Sequence, residues 1–97
     1  MKHLQNSLNI DKTNAVTHHN IAKAYSAIKM FSFAVRHYLE AIECDRNHFE
    51  SYICLGKVYI ERDELYLART TFKSVLRIDK THEGAQEALK QVDALII

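Results

Sequence analysis

The sequence predicts an all-α protein that is built from helical hairpins, and three observations carry that prediction. The 97 residues include no proline and only two glycines. Helices can therefore run without interruption, and the glycines that tight β-hairpin turns need are scarce. Apolar residues recur every three or four positions, whereas the strict alternation of a half-buried strand is absent. The chain also repeats itself every 34 residues, which indicates stacked copies of one small helical unit.

Three five-residue strings carry the repeat most clearly. They are residues 10–14, 44–48 and 78–82, and each contains an apolar residue, an aspartate, a basic residue and a polar pair in that order. The same shift superposes Tyr25 on Tyr59. Because these strings separate the segments with helical spacing, we expect them to be the turns between successive units.

The N-terminal stretch is the first predicted element. Residues 2–10 have Leu4, Leu8 and Ile10 as apolar positions and match only the second helix of a unit. We therefore expect residues 1–14 to be the second helix of a partial repeat, in a chain that is a piece of a longer array or is covered by another chain. An uncovered face with Leu4 and Leu8 would favour self-association.

Two complete units and a terminal helix follow within a single domain, residues 1–97. The units are residues 15–48 and 49–82, and residues 83–97 have the pattern of a capping helix. A capping helix needs one apolar and one polar face, because only one side of a solenoid end is covered. The apolar stripe of this helix is Ala85, Ala88, Leu89, Val92 and Leu95.

Short polar side chains precede the first helix of each unit. Asn14, Asn47 and Thr81 stand there, and their oxygens can accept hydrogen bonds from the free amides of the next helix's first turn. We therefore expect these three residues to be N-caps.

The second unit resembles the tetratricopeptide repeat. The family pattern W-x-x-L-G-x-x-Y followed by A-x-x-x-F has these counterparts: Tyr52, Leu55, Gly56, Tyr59, Ala68 and Phe72. The first unit matches more loosely, through His18, Ile21, Ala22, Tyr25, Ala34 and Tyr38. Two features depart from the family, since no proline follows the second helices, and Lys29 and Asp63 occupy turns where the family favours glycine.

The resemblance implies a right-handed α-solenoid of about six helices, in which the first helix of each unit lines a concave groove. That groove usually holds extended peptides or partner helices in this family. The resemblance therefore implies a non-catalytic protein-protein interaction module or scaffold. Carried over to this chain, the groove residues are Val16, His19, Lys23, Ser26, Ala27, Glu50, Ile53, Cys54, Lys57, Ile60, Glu87 and Gln91.

One subfamily holds the C-terminal carboxylate of chaperone tails in a clamp of lysine, asparagine and arginine side chains. At the corresponding positions this chain has His19, Lys23, Cys54, Gly84 and Ala88. The resemblance to the family therefore does not extend to the clamp, and chaperone-tail binding is disfavoured.

Two function classes stay open after this comparison. In the first, the groove binds a protein or peptide, and Lys23 and Lys57 could meet an acidic ligand. In the second, the chain is a structural element that forms a homo-oligomer through Leu4 and Leu8.

Composition and charge argue against other classes of partner. The formal net charge is +1, and lysines and arginines are scattered rather than clustered on one face, so we expect no nucleic-acid binding. No apolar run approaches the roughly 18 residues that span a bilayer, and the N-terminus lacks the apolar core of a secretory signal. We expect no membrane partner and a cytoplasmic location.

No catalytic or cofactor pattern is present in the sequence. Neither a glycine-rich phosphate loop nor an H-E-x-x-H motif occurs, so we expect no enzyme activity and no cofactor. The adjacent His18 and His19 would diverge by about 100° on a helix. His48 and His82 lie one repeat apart, too far to share an ion. We therefore assign no metal ligands, and His18 is expected to be a packed ring in the aromatic slot of its repeat.

Overall fold

The computed structural model describes residues 12–96, with side chains from residue 14 onward. This part of the chain is all α-helical, as the sequence predicts. The five helices are α1 (Lys12–Ala27), α2 (Phe31–Cys44), α3 (Phe49–Glu61), α4 (Leu65–Ile78) and α5 (Glu83–Leu95). None of them is long and apolar enough to cross a bilayer. The residues predicted to drive self-association, Leu4 and Leu8, lie outside the described part.

Each helix packs against the next one along the chain. The α1–α2 and α3–α4 pairs form hairpins, α2 also packs on α3, and α4 packs on α5. Fewer contacts join α1 to α3 and α3 to α5. The first helices of successive units and the terminal helix therefore lie on the same side of the stack of hairpins. The result is the right-handed α-solenoid that the resemblance implies.

Small residues set the distance between the two helices of each hairpin. Ala22 of α1 and Ala34 of α2 are completely buried beside the ring of Tyr38. In the second hairpin, a methyl group added to Gly56 would overlap the ring of Phe72, which is itself completely buried. The small positions of the repeat pattern are therefore points of close helix approach, and the large rings fill the space around them.

The turns inside the two hairpins have the same backbone geometry. Lys29 and Asp63 adopt left-handed conformations with φ of 66° and 62°. The amide of the residue that follows each one donates a hydrogen bond back to the carbonyl of Tyr25 (2.9 Å) or Tyr59 (2.8 Å). This is the Schellman ending that normally favours glycine, and here two residues with side chains adopt it.

The turns between units explain the repeated aspartates. The Asp45 carboxylate accepts a hydrogen bond from the amide of Asn47, and the Asp79 carboxylate accepts one from the amide of Thr81, both at 3.1 Å. Such an Asx turn reverses the chain without the proline that the family usually places there.

The structure does not bear out the predicted N-caps, and at Asn47 and Thr81 the reason is that Asx turns occupy these residues. His48 and His82 are the N-cap residues of α3 and α5, which displaces Asn47 and Thr81 from that position. Nδ1 of His82 accepts a hydrogen bond from an amide in the first turn of α5, at 3.0 Å. Helix α1 begins at residue 12, so Asn14 lies inside its first turn.

Candidate functional site

An open pocket lies between α1 and α3, near the turn that joins α1 to α2. Its volume is about 330 Å³. Five of the predicted groove residues meet in its wall, namely Lys23, Ser26, Ala27, Cys54 and Lys57. The resemblance does not place the other lining residues in the groove; they are Lys29, Phe31, Tyr38, Val58 and Glu61.

The deep side of the pocket is apolar. Tyr38 and Val58 are buried, and Phe31 and Cys54 are half-buried beside them in the core of the first hairpin. Burial raises the pKa of Tyr38, and the neighbouring Cys54 raises it further through its electrostatic interaction and its hydrogen bond with the tyrosine. The tyrosine is therefore neutral at physiological pH, and this wall suits an apolar side chain of a ligand.

The rim of the pocket is charged and exposed. Lys23, Lys29 and Lys57 face solvent around it, and Glu61 is the acidic residue of the lining. Three lysines against one glutamate leave a formal excess of two positive charges. An apolar wall with a cationic rim fits a ligand that carries both apolar and acidic groups.

The remaining predicted groove residues do not line this pocket. Val16, Glu50, Glu87 and Gln91 are exposed on the first helices of the repeats and on α5. Ile53 and Ile60 are half-buried and pack against the core beneath α5. The pocket therefore occupies the α1–α3 end of the groove that the resemblance implies, and these other residues lie outside it.

His19 takes a different position from the other predicted groove residues. It is only 6% exposed, and its Nδ1 lies 2.9 Å from the hydroxyl of Ser51 on α3. The same hydroxyl lies 2.7 Å from Nδ1 of His48. Burial lowers the pKa of His19, and His48 lowers it further. His19 thus joins α1 to α3 through a buried polar contact.

Sequence patterns also miss a cluster between α1 and α2. His18 lies against His37 and Glu40. A signal for it exists, because an H-x-x-E spacing puts His37 and Glu40 on one face of a helix. The antiparallel pairing of Ala22 with Ala34 then brings that face opposite His18.

Comparison with known proteins supports the repeat assignment. The family model described as tetratricopeptide repeat matches residues 37–70. The heat shock protein STI1 of Saccharomyces cerevisiae is 28% identical over 79 residues, which are 81% of this chain. The chain spans only 13% of the length of that protein.

Solved tetratricopeptide domains share the fold. The first such domain of Spaghetti (RPAP3), bound to the HSP90 peptide SRMEEVD, superposes with a TM-score of 0.76 at 23% identity, over 89% of this chain and 68% of that one. The second domain of human RPAP3, in complex with the HSP70 peptide SGPTIEEVD, gives 0.74 at 24% identity, over 86% and 69%.

A bacterial domain shows the same arrangement. The tetratricopeptide repeat domain protein from Salinibacter ruber has a TM-score of 0.66 at 24% identity, and the match covers 88% of this chain and 85% of that one. The matched repeat, the 34-residue period and the shared helical arrangement agree: residues 37–70 match a tetratricopeptide repeat, and the described helices have the fold of solved tetratricopeptide domains.

Proposed function

We propose that this chain is a protein-interaction module that binds an acidic peptide segment in the pocket between α1 and α3. The observation that carries the proposal is the combination of an apolar wall at Tyr38 and Val58 with a rim of Lys23, Lys29 and Lys57. A peptide that inserts one apolar side chain and lays its carboxylates along the rim would use both features.

Two of the structural relatives were solved with acidic peptides, SRMEEVD and SGPTIEEVD. Each of these sequences ends in two glutamates, an apolar residue and an aspartate. Those complexes support an acidic ligand for the present groove. The carboxylate clamp does not carry over, since His19 is buried and Cys54 half-buried. The acidic groups would instead meet the lysines of the rim.

The proposal is tested by fluorescence anisotropy with two labelled probes. One is the acidic peptide SGPTIEEVD, and the other is its neutral analogue with glutamine and asparagine in place of the acids. We expect the acidic probe to bind more tightly and its affinity to fall with added salt, because exposed charges are screened within roughly 8–10 Å at physiological ionic strength.

Charge reversal in the rim separates groove binding from unspecific attraction. Lys23→Glu and Lys57→Glu should each weaken binding of the acidic probe about tenfold or more, since a charge-assisted hydrogen bond contributes about 1.5–3 kcal/mol. Lys90→Glu is the matched control, because Lys90 is exposed on α5 and does not line the pocket. Equal losses at all three positions, or equal binding of the two probes, would contradict the proposal.

A further inference from the structure

Three potential metal ligands converge on the α1–α2 hairpin. Nδ1 of His18 lies 3.1 Å from Nδ1 of His37 and 3.2 Å from Oε1 of Glu40. Nδ1 of His37 lies 3.8 Å from the same carboxylate oxygen. Among the residues that the structure describes, this is the one such group of three.

The triangle formed by these three atoms matches the size of a metal coordination sphere. A point equidistant from atoms with these separations lies about 2.0 Å from each of them. Zn²⁺ binds histidine nitrogen at about 2.0–2.1 Å and carboxylate oxygen at about 2.0–2.2 Å. The three separations therefore suit zinc, and the 3.8 Å distance between His37 and Glu40 would shorten to give tetrahedral angles.

The fold holds these side chains in place before any ion arrives. His37 and Glu40 are three residues apart on α2 and so lie on the same face of the helix. The His37 ring lies between the rings of His18 and Tyr25, with centroid distances of 5.3 and 5.7 Å. The close approach of α1 and α2 at their buried alanines fixes the register that brings His18 to this face.

The orientation of the two imidazole rings is also compatible with a bound cation. The two Nδ1 atoms are 3.1 Å apart while the ring centroids are 5.3 Å apart, so the nitrogen-bearing edges face each other. Two imidazole lone pairs at that distance repel unless a proton or a metal ion lies between them. The Glu40 carboxylate beside them adds negative charge that favours a divalent ion.

We propose that His18, His37 and Glu40 form a binding site for a divalent transition-metal ion, with Zn²⁺ as the expected occupant. Two imidazoles and one carboxylate are donors that suit zinc, whereas Mg²⁺ and Ca²⁺ prefer all-oxygen sites. The ligand side chains are 28%, 22% and 47% exposed, so an ion can enter from solvent and water can complete its coordination.

The site is separate from the proposed peptide pocket. None of its three ligands lines that pocket. An experiment that contradicts one of the two proposals therefore leaves the other unaffected. An ion at this position would join α1 to α2 across the first hairpin, and zinc binding should raise the thermal unfolding temperature of the protein.

Isothermal titration calorimetry of the tag-free, metal-stripped protein with ZnCl₂ tests the proposal. We expect one ion per chain, and His18→Ala, His37→Ala and Glu40→Gln should each lower the affinity more than about tenfold. Glu43→Gln is the matched control, because Glu43 is an exposed carboxylate on the same helix and lies outside the cluster. Circular dichroism of each variant shows that a loss of zinc binding is not a loss of fold, and Glu40→Gln keeps the side-chain volume.

Cobalt provides a second readout of the ligand set. The absorption spectrum of the Co²⁺-loaded protein should show a low-symmetry nitrogen and oxygen site without thiolate bands, and Glu40→Gln should alter it. The double variant Cys44→Ser/Cys54→Ser should bind zinc as the unaltered protein does. No zinc binding at millimolar concentration, an affinity unchanged by Glu40→Gln, or a loss of binding in the cysteine variant would overturn the assignment.

Discussion

At the scale of single residues, Gly56 shows how one position of the repeat pattern acts through its neighbour across the hairpin. In a free helix, alanine is more favourable than glycine by about 1 kcal/mol. At Gly56 the added methyl would overlap the Phe72 ring, which is completely buried and has no room to retreat. Overpacking of this kind costs about 1–3 kcal/mol, so steric overlap outweighs helix propensity here.

We therefore predict that Gly56→Ala lowers the free energy of unfolding by up to about 2 kcal/mol, which is the overpacking cost less the gain in helix propensity. Urea denaturation followed by circular dichroism measures the change. Gly84→Ala is the matched control, because Gly84 is exposed and its new methyl would meet the ring edge of His82, at 3.1 Å. The control should be neutral or stabilising, and a stabilising Gly56→Ala would show that α3 and α4 do not approach as described.

The buried imidazole of His19 makes stability depend on pH. Burial, and then His48, lower the pKa of His19 from its ordinary value of 6.5, while Glu50 opposes the shift and Lys23 adds to it. The unfolded chain thus binds a proton at a pH where the folded chain does not. The stabilisation is present in full above about pH 6.5 and is lost as the pH falls from there through the lower pKa of the folded state.

We predict that the free energy of unfolding decreases between pH 7 and pH 5, and that His19→Gln removes a large part of that decrease. Urea titrations at a series of pH values give the slope. His48 and Glu50 face the same imidazole, so His48→Gln serves as a comparison that changes the slope less. A pH profile that is the same with and without His19 would show that its contact with Ser51 is not a buried neutral pair.

At the scale of the elements, the two hairpin turns use a backbone conformation that their side chains disfavour. The left-handed region costs a residue with a Cβ about 1–2 kcal/mol, and glycine gives back about 0.5–1 kcal/mol of this through its larger unfolded-state entropy. Asp63 is exposed, has φ of 62° and does not line the pocket, so it can be changed without touching the proposed site.

We predict that Asp63→Gly raises the free energy of unfolding by about 0.5–1 kcal/mol. Asp63→Ala should instead be destabilising, because alanine keeps the Cβ and loses the polar group that helps aspartate tolerate this region. Thermal or urea unfolding of the two variants gives the comparison. Equal effects of glycine and alanine would mean that the turn does not require a left-handed residue.

The helices themselves follow closely from the sequence, whereas their ends do not. The spacing of apolar residues and the 34-residue period predict the two hairpins and the terminal helix, and the family's small positions are the buried contacts at Ala34 and Ala68.

The predicted N-caps Asn47 and Thr81 are wrong because the side chains of Asp45 and Asp79 form hydrogen bonds within the turns. Asn47 and Thr81 donate to these aspartates, and the chain continues one residue further before the helix begins. Short-range competition between an Asx turn and an N-cap is decided by backbone geometry that a residue pattern does not contain.

At the scale of the whole molecule, the candidate site is only partly encoded in the pattern of one helix. The resemblance points to the first helix of each repeat, and five of those residues do meet in the pocket. Lys29, Phe31 and Tyr38 enter it from the turn and from α2, because the pocket lies where the hairpin closes. The side chain of His19 is buried instead of exposed in the groove, because it contacts Ser51 on the facing helix α3. Such pairings depend on how three helices stack, and no single segment specifies them.

The two interaction surfaces predicted for this chain can be separated by their residues. Self-association through Leu4 and Leu8 is a prediction from the sequence, whereas the proposed peptide binding uses a pocket whose lining begins at Lys23. We predict that the double variant Leu4→Ser/Leu8→Ser shifts sedimentation equilibrium toward the monomer and leaves the affinity for the acidic peptide unchanged. Leucine burial contributes about 1.5–3 kcal/mol per side chain, so removing both should weaken an association by two orders of magnitude or more.

Lys57→Glu should instead weaken peptide binding and leave self-association unchanged. An exposed pocket lysine contributes charge to the binding of a ligand but no apolar area to the interface of an oligomer. A protein that stays monomeric at millimolar concentration contradicts the self-association prediction, and loss of peptide binding in the leucine variant would mean that oligomer formation builds the groove.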